Sequence, residues 1–138
     1  MSHSDIAPGI TIEDQAFDRA ALEKLAAAAE PVLLRRCDLD EADLAGLVLN
    51  GWVFDTCTLK QARLVGAKLA ETRWSSCRGA TADFTGADLG EAAFRSCDFN
   101  NSNFRGATLT GASFASCKLT GANLAETKTL NATFQKCR

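Results

Sequence analysis

The sequence predicts an all-β fold: a four-sided parallel β-helix running from about Val32 to Arg138, behind an N-terminal helical cap. Three observations lead there. Large apolar residues recur every five positions, small residues recur two positions before them, and six cysteines stand 20 residues apart throughout.

The five-residue period is long and regular. Stepping by five from Leu34 to Phe134, 19 of 21 positions hold Leu, Phe or Trp, with Gly79 and Thr129 the exceptions. From Val32 to Cys137, 19 of the 22 positions two residues earlier are Ala, Cys, Ser or Thr. Neither a 3.6-residue helix nor plain alternation has this period. Within each unit, residues two apart on extended backbone share a side. The small and the large residue therefore face inward, and the residue between them faces out. The other two must turn the chain. Seven of the ten glycines fall two after a large residue, where a tight turn can demand positive φ.

A second period of 20 sets the number of sides. Cys37, Cys57, Cys77, Cys97, Cys117 and Cys137 share it, as do Phe54, Trp74, Phe94, Phe114 and Phe134. Twenty residues are four units, so one coil has four sides and like residues stack on like. At about 4.8 Å per coil, five coils make a rod of roughly 20–25 Å. Gly79 interrupts the inward column between Leu59 and Phe99, and a local void or a bent strand is expected there.

Units such as Ala82-Asp83-Phe84-Thr85-Gly86, Ala87-Asp88-Leu89-Gly90-Glu91 and Ala122-Asn123-Leu124-Ala125-Glu126 resemble the pentapeptide-repeat family, with its A-[D/N]-[L/F]-x-x units. The resemblance covers about three quarters of the chain. It implies a right-handed quadrilateral β-helix, and the handedness rests on it alone.

Residues 1–31 lie outside the repeat. Thr11 followed by Glu13 and Asp14 reads as a helix N-cap with acids in the first turn. Phe17, Ala21, Leu22, Leu25, Ala28 and Ala29 form an apolar stripe at helical spacing, and Pro31 stops it. A helix over about 12–29 is expected to cover the first coil, where Leu47 and Trp52 are oversized for the small-residue column. At the other end no such segment follows. The last coil, with Leu119, Leu124 and Phe134, is expected to make an end-to-end contact, a homodimer through the C-terminal coil, unless a longer chain supplies a cap.

Candidate chemistry reduces to packing. A metal needs ligands that converge, whereas a ladder of inward cysteines does not, and in-register thiols are poorly oriented for disulfides. The cysteines are read as small apolar residues filling one corner. The aromatic column points inward and is read as core. Asp38, Asp43, Asp83, Asp88 and Asp98 occupy the outward phase with no partner base. His3 is read as a tail residue. No nucleotide loop or nucleophile–base pair stands out, so no catalysis and no cofactor are expected. No apolar run is long enough to span a membrane and no export signal is evident, so a reducing cytoplasm is expected.

The family resemblance implies non-enzymatic roles. Some members, among them the fluoroquinolone-resistance proteins, protect DNA gyrase and topoisomerase IV and are thought to copy duplex DNA. Mimicry needs dense negative charge. The net charge is −2, but from Val32 on there are 11 acids against 13 bases. The leading expectation is a rigid scaffold for a protein partner, with no direct binding of nucleic acid. The alternative is a DNA mimic that binds a type II topoisomerase.

Overall fold

The computed structural model describes residues 9–138; the tail containing His3 lies outside them. In chain order the elements are β1 (Ile10–Glu13), α1 (Arg19–Ala27), β2 (Val32–Arg35), β3 (Val53–Asp55), β4 (Arg73–Ser75), β5 (Ala93–Arg95), β6 (Ser113–Ala115) and β7 (Thr133–Gln135). The strands form one parallel sheet in sequence order. From β2 onward each rung sits 20 residues after the last: Leu34 pairs with Phe54, Phe54 with Trp74, and so on to Phe134. The other three sides are ladders of single bridges at the same step, such as Asp38 to Thr58, Asp43 to Arg63 and Val48 to Lys68. The molecule is a four-sided parallel β-solenoid. Sequence position is therefore also axial position, which decides what each end of the rod presents.

Every corner uses the same backbone device. The residue two after each large residue has positive φ in all 21 units, seven of them glycine and 14 not. The sequence marks this turn only where glycine occupies it. At the other corners residues such as Thr56, Thr81 and Glu91, with φ of 56°, 58° and 60°, are held left-handed against their own preference.

Inside, the small and large columns are buried together, each fully buried Leu or Phe contributing about 1.5–3 kcal/mol. Two buried polar residues break the small column, and both are satisfied. Thr72 accepts the indole N–H of Trp74 at 2.9 Å and donates to Leu69 O at 2.7 Å; Ser102 donates to Gly79 O at 2.8 Å. The void expected at Gly79 is not there. The ring of Phe99, one coil on, lies over its Cα, and a Cβ would stand 2.6 Å from Cδ1 and overlap Cε1. Phe99 is larger than the leucine usual at that phase and uses the space glycine leaves.

The N-terminal segment differs from the expected long helix. Residues 10–13 form a strand, not a first helical turn, and β1 adds a sixth coil interval to the five expected from Val32. Ile10 pairs with Val32 and Ile12 with Leu34, an offset of 22 rather than 20. Stepping back by five or twenty from Leu34 therefore misses this rung. The acids read as helix-dipole partners instead bind Arg35 and Arg36 on the next rung. The helix starts later, with Asp18 as N-cap accepting from Ala21 N at 2.8 Å.

The capping role belongs to this shorter helix. Leu22 is fully buried, with Phe17, Leu25 and Ala26 packed against the core. The Arg19 guanidinium donates to Ala45 O at 2.7 Å and Asp43 O at 3.4 Å. In later coils the equivalent carbonyls accept backbone N–H groups, as Asp83 O does from Leu64. Arg19 thus stands in for the missing coil.

Candidate functional site

The cysteines line the corner that follows the strand face. At the other three corners the small residue closes a backbone turn onto the large residue three before it: Ala42 N to Leu39 O at 3.0 Å, Leu47 N to Leu44 O at 3.2 Å, Trp52 N to Leu49 O at 3.1 Å. At the cysteine corner thiols reach the carbonyl of the preceding coil's central residue. Cys57 Sγ meets Leu34 O at 3.2 Å, Cys77 meets Phe54 O at 3.1 Å, Cys117 meets Phe94 O at 3.5 Å and Cys137 meets Phe114 O at 3.3 Å. A thiol is small, apolar and a weak donor, which suits a buried corner with a carbonyl to satisfy. Alanine, sufficient elsewhere, lacks the donor.

Cys37, Cys57, Cys77, Cys97 and Cys117 are buried, Cys137 is half-buried, and none is in a disulfide. Burial pushes the Cys37 thiol up. Hydrogen bonds with neighbouring thiols, together with burial, raise Cys77 and Cys117. Cys57 and Cys97, favoured in those thiol–thiol contacts, shift the other way. Among the described residues no group of three or more His, Cys, Asp and Glu is arranged to hold a metal ion. Beside the cysteine column runs a shallow open groove of about 370 Å³, lined by Ser76, Arg78, Ser96, Asp98, Ser116, Lys118 and the edges of Cys77 and Cys97.

The aromatic column stacks inside the rod. Ring centroids are 4.0 Å apart for Phe54–Trp74, 5.2 Å for Trp74–Phe94, 4.6 Å for Phe94–Phe114 and 4.9 Å for Phe114–Phe134. Phe54, Trp74, Phe94 and Phe114 are buried, leaving no ring on these coils for a base to stack on.

The outward carboxylates serve the turns. Asp38, Asp43, Asp83, Asp88 and Asp98 each accept the N–H two residues on at 2.8–3.0 Å, and Asn103 and Asn123 do the same. This is an Asx turn, and it gives a local physical reason for Asp or Asn at that place in the unit. Along the axis opposite charges alternate: Asp43, Arg63 and Asp83 are successive bridge partners, as are Arg78, Asp98 and Lys118. Just after β1, Arg36 bonded to Asp14 holds that carboxyl below its ordinary range. Burial acts to raise Asp55, but hydrogen bonds from Thr56, Arg35 and Ser75 outweigh it and the net shift is downward.

The last coil is the main apolar exposure. Leu119 is half-buried, while Leu124, Phe134 and Leu130 are 37%, 42% and 71% exposed. Leu130 stands outside the inward columns because it lies one past Thr129, at a turn position. No helix among the described residues is long and apolar enough to cross a membrane.

Comparison with known proteins places these features. The family model described as "Pentapeptide repeat region" matches residues 29–104, and one described as "Pentapeptide repeats (8 copies)" matches 87–125. Among solved structures the chain is similar to full-length QnrB1, a plasmid-mediated fluoroquinolone resistance protein, at 15% identity and a TM-score of 0.55, over 94% of this chain and 76% of that one. It also matches a pentapeptide repeat protein from the cyanobacterium Cyanothece 51142, at 26% identity and a TM-score of 0.40, over 94% and 84% of the two chains. A third, from Nostoc Pcc 7120, matches at 24% identity and a TM-score of 0.44, over 86% and 96%. A search of curated proteins finds no match.

Proposed function

Because this chain belongs to the pentapeptide-repeat family, matched over residues 29–104, we propose that it is a rigid, non-catalytic scaffold for contact with another protein. One observation carries the reading: the polar groups that could do chemistry are committed to holding the coil. The outward aspartates hold turns, the thiols bond carbonyls within the wall, and the aromatics stack within the core. What remains for a partner is the outer surface of a stiff rod, roughly 29 Å over six coil intervals, whose side chains are fixed at regular spacing. A preformed surface loses little freedom on binding. The unpaired thiols suit a reducing compartment, and we place the protein in the cytoplasm.

The second reading is a protector of type II topoisomerases that acts as a DNA mimic. It is favoured by the fold shared with QnrB1. The alternating charge columns weigh against it, since a duplex presents continuous negative charge. A gyrase supercoiling assay with and without a quinolone separates the two. The scaffold reading expects unchanged supercoiling and an unchanged inhibitor dose. Inhibition of supercoiling, or relief of the quinolone block, would establish the mimic.

A further inference from the structure

The rod is a charge dipole along its axis. Residues 9–51, the cap and first coil, carry nine acidic side chains against four basic ones, net −5. Residues 52–91 carry five of each. Residues 92–138 carry Asp98 and Glu126 against six cations, net +4. Because the coils stack in sequence order, these are the two ends of the molecule.

The basic end is also the apolar one. Leu124, Leu130 and Phe134 are exposed on the last coil, and Lys118, Lys128, Lys136 and Arg138 are exposed around them. An apolar centre inside a charged rim is the anatomy of a protein interface. The acidic end is covered differently: α1 lies over the first coil, with Glu23 exposed on it and Glu30 exposed just after it.

We propose that the C-terminal coil docks on the acidic N-terminal end of a second copy, so that rods associate head to tail. The charge decides the orientation. The two-fold contact expected from the open edge alone would set two ends of about +4 against each other across a short gap, and like charges facing one another oppose binding. Head-to-tail stacking sets +4 against −5. A heterologous contact of this kind leaves a free end of each sort and need not close. Its electrostatic part is screened by salt, because the Debye length falls from about 10 Å at 0.1 M to about 3 Å at 1 M.

Sedimentation velocity of the full chain over a concentration series tests this, at about 0.02 M and about 0.5 M salt. The expected result is concentration-dependent association at low salt, weakened at least tenfold at high salt. A Lys128→Glu/Lys136→Glu variant and a Glu23→Lys/Glu30→Lys variant should each lose self-association while keeping the native circular dichroism. Mixed, they should associate with each other, because the unaltered basic C-terminal end of the second meets the unaltered acidic N-terminal end of the first. The mixture keeps the test meaningful if one variant is weakened for another reason. A chain that stays monomeric at low salt overturns the proposal. So does association that persists or strengthens at high salt, which marks an apolar two-fold contact, and so does failure of the two folded variants to associate when mixed.

Discussion

Trp74 donates its indole N–H to Thr72 Oγ1 at 2.9 Å inside the core, and the same hydroxyl donates to Leu69 O at 2.7 Å. Both residues depart from the commonest residue of their columns, and they do so together. Tryptophan brings a donor that a Phe–Leu core cannot satisfy. Threonine at the small position supplies the acceptor, leaving no buried side-chain polar atom without a partner among the described residues. Thr72→Val should therefore destabilise by about 1–3 kcal/mol, the cost of an orphaned buried donor. Trp74→Phe in that background should recover part of the loss, because the donor is gone. Urea unfolding of the two single variants and the double variant measures the coupling. Additive losses would show that the bond contributes nothing.

Gly79 and Phe99 form a second compensating pair. Gly79→Ala should destabilise by about 1–3 kcal/mol through overpacking, since the ring already occupies the place of the new Cβ. The same change in a Phe99→Leu background should be much better tolerated. Equal cost in both backgrounds would point to the backbone at residue 79 rather than to the ring.

The left-handed corners give a prediction of the opposite sign. Thr81 has φ of 58°, a conformation that is strained for a β-branched residue. Thr81→Gly should stabilise by about 1 kcal/mol, strain relief outweighing the entropy glycine loses on folding. Thermal unfolding reads this directly, and a lower midpoint would show that the corner imposes no strain.

Asp55 links neighbouring rungs through Arg35 and Ser75 and also accepts from the Thr56 hydroxyl beside it. Its folded pKa lies below the ordinary 3.8, so its contribution is present above the unfolded value and is lost as pH falls through the folded one. The stability difference between the native protein and Asp55→Asn should be constant near neutrality and shrink below about pH 4. A difference independent of pH down to about 2 would remove the ionised carboxylate from the account.

The repeat was legible because five and twenty are held without slippage from Val32 onward, and inward phase follows from two-residue alternation. What was not legible lay where the period changes or where partners are a coil apart. Ile10 and Ile12 alternate as a strand should, but the 22-residue offset takes them out of phase with Leu34, and Thr11 with two following acids imitates a helix start. Gly79 looked like a gap because a column shows which residue stands at each rung, not how far its neighbour's ring leans. The cysteine column was visible as packing, but its hydrogen bonds to Leu34 and Phe54 carbonyls depend on how that corner turns. For the site, the outward phase of the aspartates on several faces was visible. Their use in turns needed the backbone, and the axial charge separation needed the coil order.

One 20-residue coil places the cysteines in a single inward column whose thiols belong to the wall of the rod. Site-resolved thiol labelling, followed by mass spectrometry in native buffer and in denaturant, tests it most directly. Cys57, Cys77, Cys97 and Cys117 should label slowly and in step, Cys137 at the half-buried end should label first, and all should become fast on unfolding. Rapid native labelling of any of the four inner cysteines would contradict the inward column, and with it the reading of this rod as a chemically inert scaffold.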